Sequence, residues 1–219
     1  MFNLTLVEGQ TEERFVKTVL NPHLEAFRIV SIPTIITTKL VKRGPNFKGG
    51  VPEYGNVRRQ IQRLLGDTNA SSITTMIDYY GLPNSFPGKT TIVGGTPHER
   101  VAYLEQEISK DIDDPRFHPY YSLHEFEAIL FSSPQEIANT MIQTTSLVNL
   151  QTIKNSFSTP EDINDNPTTC PSGRLLNLFD TYNKPIYGSL ISQNIGLETI
   201  RAECPHFNEW ITRFENLQN

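Results

Sequence analysis

Cysteine is scarce: Cys170 and Cys204 are the only two in 219 residues. They have no metal-type spacing and cannot build a disulfide framework, so an apolar core must hold the fold. Neither has a sequence neighbour suited to thiol chemistry beyond His206 close to Cys204, and the stretch 204–207 reads as a packed helix junction. Long apolar runs are missing as well; none approaches the ~18 residues a membrane helix requires. Residues 1–9 (MFNLTLVEG) show neither the basic start nor the apolar stretch of a signal peptide. The expectation is a soluble cytoplasmic protein with no membrane association. Positive charge is short too. A formal net charge of −5 and a pI of about 5.6 argue against the broad basic face of a stand-alone DNA-binding module. No Gly-x-x-x-x-Gly-Lys-Ser/Thr stretch occurs, which disfavours Walker-type nucleotide hydrolysis, and no internal repeat is present.

What remains is an ordinary folding composition, 37% hydrophobic and 20% charged, with strands and helices in alternation. Phe2 to Val7 is a buried strand that turns at Glu8-Gly9 into a helix, with Gln10 or Thr11 near its cap. Phe15, Val16, Val19 and Leu20 recur at helical spacing, and Asn21-Pro22 is expected to end that run. A second strand spans Phe27 to Thr38, where Pro33 implies a break or an edge position. Lys39 to Pro52 is a basic, glycine-rich loop. Tyr54 to Leu65 is an amphipathic helix, Ser72 to Ile77 a third strand, and Phe117 to Leu123 a fourth. Pro97 to Ile112 is a helix opened by Thr96 with Glu99 three residues on, a capping-box pattern. The alternation predicts an α/β core over 1–132, a parallel sheet flanked by helices. Residues 133–219 form a helical C-terminal extension packed on it.

In an open parallel sheet, ligands bind beyond the carboxyl ends of the strands. Glu8 and Asp78 each follow a strand directly, and Glu12 lies one helical turn after Glu8 on the same face. His124, Glu125 and Glu127 follow a further strand and can join them. Carboxylates gathered in one place repel one another unless a divalent cation sits between them, which is the physical case for Mg²⁺ or Mn²⁺. Simpler readings stand beside this one. Glu8, Glu12, Glu125 and Glu127 can be acids favoured at helix starts; Asp78 can be a turn residue before Gly81 and Pro83. His124 can be a structural histidine, and Lys184 and Arg174 exposed loop residues.

Three segments, Val7-Glu8-Gly9-Gln10-Thr11-Glu12, Ile77-Asp78-Tyr79-Tyr80-Gly81-Leu82-Pro83 and His124-Glu125-Phe126-Glu127-Ala128, resemble a Toprim-like family related to the catalytic domain of OLD-type nucleases. The resemblance continues through Pro171-Ser172-Gly173-Arg174, Lys184, Ile200-Arg201 and 204–207 to Trp210, nearly the whole chain. Its members occur in anti-phage loci beside an ABC-type or OLD-type ATPase, as in PARIS-type systems. The resemblance implies a Toprim fold in which Glu8 and Asp78 bind Mg²⁺ (or Mn²⁺) and Glu12 is an additional acid one helical turn on. Many Toprim enzymes carry a second aspartate where this chain has Tyr80, so Glu125 or Glu127 completes the shell, or a single metal binds tightly.

Lys184 resembles the late lysine of OLD-type sites, which implies stabilisation of transition-state charge, with Arg174 as a second candidate. The implied activity is metal-dependent endonucleolytic cleavage of DNA or of RNA such as tRNA. Lys42 and Arg43 in the basic loop and Arg58, Arg59 and Arg63 on the following helix would guide the nucleic-acid backbone. A rival reading is a catalytically weak module that docks on a partner ATPase and reports its state. Primase-like or topoisomerase-like chemistry ranks lower, for want of a zinc motif or second catalytic domain. A symmetric homodimer is the default for a soluble oligomer.

Overall fold

The structure, a computed structural model, describes residues 1–39, 47–48, 50–163 and 169–218. Its strands are β1 (Phe2–Val7), β2 (Val30–Ile35), β3 (Thr37–Lys39), β4 (Phe47–Lys48), β5 (Ala70–Asp78), β6 (Phe117–His118) and β7 (Tyr121–Ser122). The main sheet runs β2-β1-β5-β6, with β7 also on β5, and each of these pairings is parallel. β3 and β4 pair separately and antiparallel. Helices α1 (Gln10–Phe15), α2 (Asn21–Leu24), α3 (Tyr54–Leu65) and α4 (Pro97–Ile112) interleave with the strands. Six more follow: α5 (Pro134–Thr140), α6 (Leu147–Asn155), α7 (Pro171–Leu178), α8 (Ser189–Ile195), α9 (Leu197–Glu203) and α10 (Pro205–Glu215). This is the mixed α/β architecture expected, a parallel sheet flanked by helices.

Strand alternation sends side chains to two faces, and each face has its own core. Leu4, Leu6, Ile73 and Ile77 meet Val57 and Ile61 of α3 and Val101, Leu104 and Ile108 of α4. The apolar positions of both helices recur at three- and four-residue intervals, which puts them on one stripe. Val7 and Met76 face the other way, into a core shared with Phe15, Phe131, Ile191, Ile200, Phe207 and Trp210. The C-terminal helices therefore build the second layer of the same unit. Trp210 Nε1 donates 2.9 Å to Thr74 Oγ1 within β5, which satisfies two buried polar groups at once.

β2 is an edge strand whose outward hydrogen-bonding groups are blunted. The Val30 and Ile36 amides donate inward to Met1 O and Val7 O, so the Ser31 and Pro33 positions face out. Asn21 covers Ser31 with two bonds, Ser31 N to Oδ1 at 2.8 Å and Nδ2 to Ser31 O at 2.9 Å. Pro33 has no amide to offer. Both devices oppose pairing with another strand.

Several boundaries differ from expectation. The first helix does not stop at Asn21-Pro22: a π-helical turn, Val16–Leu20, carries the chain into α2 as far as Leu24. The wider turn changes the hydrogen-bond register just before a residue with no amide to donate, so the proline is accommodated. The second strand starts at Val30, because residues 25–27 form a 3₁₀ turn and Arg28 takes a left-handed conformation (φ 55°). The fourth strand is two short pieces, β6 and β7, interrupted at Pro119. The capping box on α4 is present as read, with Thr96 and Glu99 bonded reciprocally.

Candidate active site

Parallel strands finish at one edge, and register does the rest. Val7 lies opposite Met76, and Asp78 opposite Ser122, so Glu8, Asp78 and the turn 124–127 emerge together. His124, buried and left-handed (φ 64°), reverses the chain beyond β7. Its carbonyl accepts the Tyr80 amide at 2.8 Å, and the 3₁₀ segment Phe126–Ser132 then carries Glu127 under the sheet edge. Such a conformation is costly for a non-glycine residue and persists where its surroundings fix it.

The N-cap of α1 is Gly9, which has no side chain with which to cap it, and Gln10 beside it is the first helical residue. A Cβ at Gly9 would stand 3.2 Å from Glu12 Oε2. The glycine thus makes room for the Glu12 carboxylate.

Four carboxylates and one ammonium meet here. Lys184 Nζ lies 3.1 Å from Asp78 Oδ2, 3.0 Å from Glu127 Oε2 and 3.4 Å from Glu12 Oε1. Glu8 closes the group by accepting the Asp78 amide on Oε2 at 3.1 Å. Asp78 Oδ1 accepts the Phe126 amide at 2.8 Å, and the Tyr182 hydroxyl approaches Glu127 Oε1 at 3.4 Å. Glu12, Asp78 and Glu127 are almost wholly buried (2%, 5% and 0% exposed), whereas the Lys184 side chain is 32% exposed. The side chain thus enters from the surface and sets its ammonium among the acids, closing an acidic pit.

Lys184 is not in a loop. It opens a second π-helical turn, Lys184–Gly188, that runs into α8. Arg14 on α1 donates to Pro185 O at 2.9 Å. A Cβ at Gly188 would come within 3.0 Å of Thr11 Cγ2, so only glycine lets this turn sit so closely on α1.

The electrostatics follow from burial and crowding. Desolvation, then the nearby Asp78 charge, pushes the Glu8 carboxyl up to about 8. Burial likewise raises Glu127 to about 7, against the opposing pull of Lys184, and raises Glu12. Burial alone would lower Lys184, but Asp78, Glu127, Glu12 and Glu8 outweigh it and hold the ammonium protonated. Glu12 Oε1 and Glu127 Oε2 are buried and make no hydrogen bond; they face the ammonium only as ion pairs. Among the described residues no set of three His, Cys, Asp or Glu side chains forms a ready-made metal-ion site. The carboxylates are arranged around Lys184. Their chemistry nonetheless fits a hard divalent cation: the donors are all oxygen, two are orphaned, and one positive charge stands against four acids.

The remaining predicted residues are dispersed. Glu125 accepts the Ser172 amide at 2.9 Å and its hydroxyl at 3.0 Å, which caps α7 and takes it away from the Lys184 group. Arg174 donates to Thr169 O at 2.6 Å and lies over the Phe157 ring. Arg58 pairs with Asp111 at 2.7 Å, beside the Tyr54 hydroxyl. Arg59 and Arg63 are exposed, but α3 runs back from the carboxyl edge, so Arg63 ends at the opposite side of the sheet. Lys42 and Arg43 lie outside the described residues. Cys204 is buried at the start of α10, where Glu161 accepts the His206 and Phe207 amides. The contributions of Arg14, Phe126 and Tyr182 carry no signal in the linear sequence, since each depends on a distant partner.

Fold and site together define an α/β protein with a buried acidic cluster at the carboxyl edge of a parallel sheet. The chain belongs to the family described as Domain of unknown function (DUF4276), whose profile matches residues 7–215. No curated protein matches it. Among solved structures it is similar to the C-terminal region of the Burkholderia pseudomallei OLD protein, with TM-score 0.47, 13% identity, and 97% of this chain and 98% of that one covered. It is also similar to the C-terminal region of the Xanthomonas campestris pv. campestris OLD protein, with TM-score 0.45, 17% identity, and 99% and 97% covered. No helix among the described residues is long and apolar enough to cross a membrane.

Proposed function

We propose that this chain is a divalent-metal-dependent endonuclease of Toprim type. The observation that carries the reading is the convergence of Glu8, Glu12, Asp78 and Glu127 on the Lys184 ammonium at the carboxyl edge of the sheet. The motif resemblance at residues 7–12, 77–83 and 124–128 supports it independently. Glu8, Glu12, Asp78 and Glu127 would hold Mg²⁺ or Mn²⁺. Bound there, the ion supplies charge for the scissile phosphate and lowers the pKa of an attacking water.

The chain's own groups do the rest. Asp78 is fixed by the Phe126 amide, so its carboxylate is oriented before any ligand arrives. Glu8, whose carboxyl is pushed up to about 8 by burial and the neighbouring Asp78, would give up its proton on holding a cation, which couples metal binding to pH. Lys184 keeps its proton among the acids and its side chain reaches the surface, which suits it to neutralise charge building on phosphate oxygens. The resemblance assigns an ABC-type or OLD-type ATPase as partner and anti-phage defence as the setting.

The test is cleavage of plasmid DNA and total tRNA by the purified chain and its Glu8→Ala variant, with Mg²⁺, Mn²⁺ or EDTA. Metal-dependent cleavage lost in a folded Glu8→Ala protein is the expected result. Cleavage retained in that variant would sink the proposal.

A further inference from the structure

The layer of α3 and α4 does not cover the whole of its face of the sheet. Residues paired across neighbouring strands share a face, and the register sets Val30 beside Phe2, Ile32 beside Leu4 and Thr34 beside Leu6. Leu4 and Leu6 are buried in the core that Val57 and Ile61 of α3 help to build. Val30 and Ile32, one strand further out, are 43% and 44% exposed, and Phe2 is 48% exposed. The opposite face of β2 is closed: Ser31 is buried beside Asn21, and Ile35 packs on the other core. An apolar strip about one strand wide is thus left open on one side of the sheet only.

A parallel sheet is ordinarily covered on both faces, so the strip is a place for one more helix in the layer of α3 and α4. Pairing of a strand along the edge is opposed by Asn21 and Pro33, so an occupant must lie across the face. One wall of this place is α3. Gln60 Oε1 accepts the Thr37 amide at 2.9 Å, while its Nε2 donates to Thr37 O at 3.1 Å and to Asn56 Oδ1 at 2.8 Å. That flank of the helix therefore faces the segment that continues β2. Asn56, Arg59, Gln60 and Arg63 stand at i, i+3, i+4 and i+7, so both arginines share the flank. Arg58 turns the other way, to Asp111 of α4. Arg59 and Arg63 are exposed and have no acid partner among the described residues. No acid occurs between Tyr54 and Leu65, so the wall carries positive charge alone.

We propose that this face docks an amphipathic helix of a partner protein. Its apolar stripe would lie on Phe2, Val30 and Ile32, and acids along one flank would meet Arg59 and Arg63. The six residues of β2 extend about 20 Å, a length that about 14 residues of helix span. The apolar stripe supplies affinity; the arginines select the sequence and the direction in which it is seated. A second copy of this chain would bring the same strip and the same acid-free wall, which leaves the arginines unpaired. Val30 and Ile32 offer a nucleobase no ring to stack on, whereas they suit the aliphatic stripe of a helix. The surface is separate from the acidic cluster and does not depend on the nuclease reading.

The experiment titrates isotopically labelled protein with a designed helical peptide that has leucines on one face and glutamates along one flank. Its counterpart carries lysines in place of the glutamates. The reporters are the amide signals of Val30, Ile32 and Thr34. The acidic peptide is expected to shift them at concentrations about 10-fold lower than the basic one. Arg59→Glu/Arg63→Glu, at two exposed positions, should reverse that order, and Ile32→Thr should weaken binding of both peptides about 10-fold. Thermal melts check that each variant is folded. No shift with the acidic peptide, equal response to both peptides, or an unchanged order in the double arginine variant overturns the proposal. Shifts of the same signals on concentrating the protein alone would give the face to a second copy. A single-stranded oligonucleotide that shifts them at lower concentration than the acidic peptide would give it to nucleic acid. Either result contradicts a helical protein partner.

Discussion

Lys184 and Asp78, separated by 106 residues in the chain, meet at 3.1 Å between Nζ and Oδ2. One comes from the end of the central strand and the other from the π-helical turn before α8. Their contact ties the helical half of the protein to the sheet at the point where the acids converge.

Replacing this lysine should cost stability in the absence of metal. Lys184→Met leaves Asp78, Glu12 and Glu127 buried without a counter-charge, a loss of about 2 kcal/mol at pH 8, at the low end because the side chain is partly exposed and the acids can take up protons. Urea unfolding in EDTA measures it. Added Mg²⁺ should recover most of the loss, and an unchanged midpoint in EDTA would show that the lysine does not neutralise the cluster.

The metal-free protein should lose stability as pH rises from about 4.5 toward 8. The folded state keeps a proton on Glu8 up to about 8, while the unfolded chain releases it near 4.5, so the native state binds more protons in that window and each step upward favours unfolding. Glu127, raised to about 7, works in the same direction. So does His206, whose raised pKa reflects Glu105 winning over burial. Glu8→Gln removes one contribution without touching His206. Its thermal midpoint should therefore depend less steeply on pH than that of the parent; parallel curves would contradict the assignment.

Gly9→Ala is expected to weaken cation affinity about 10-fold while leaving the fold intact. Backbone angles of −152° and −167° suit alanine, so the only conflict is the new methyl 3.2 Å from Glu12 Oε2. Calorimetric Mn²⁺ titration, with a thermal melt as the folding control, reads both effects.

Glu125→Ala should behave in the opposite way. Its carboxylate caps α7 through Ser172, so the change should cost about 1 kcal/mol of stability and leave Mn²⁺ affinity unaltered. A large drop in affinity would restore Glu125 to the acidic cluster.

How much of this was legible in the sequence follows from how local each feature is. β1 is a short, mostly apolar run followed at once by Glu8, β5 is a strand rich in Ile and Thr that ends on Asp78, and α4 carries its own start signal at Thr96 and Glu99, so their positions could be read directly. Glu8, Glu12 and Asp78 could be placed together because parallel strands share an edge. Glu125 and Glu127 could not be told apart: they are two residues from each other, and which one enters the pit depends on the left-handed turn at His124. The helix through Pro22 was hidden because the compensation lies in a π-helical turn, which leaves no compositional mark. Lys184 was singled out by resemblance alone; its placement depends on Arg14 and on the glycine at 188, both contacts across the fold.

The most direct test of the acidic cluster as a cation site is Mn²⁺ binding followed by electron paramagnetic resonance, with the protein and its Glu12→Gln/Asp78→Asn double variant compared at pH 7.5. The account expects the free-Mn²⁺ signal to fall on adding the parent protein, with proton release as Glu8 and Glu127 ionise, and to stay unchanged with the folded double variant. Equal loss of signal with both proteins, or none with the parent, would contradict it.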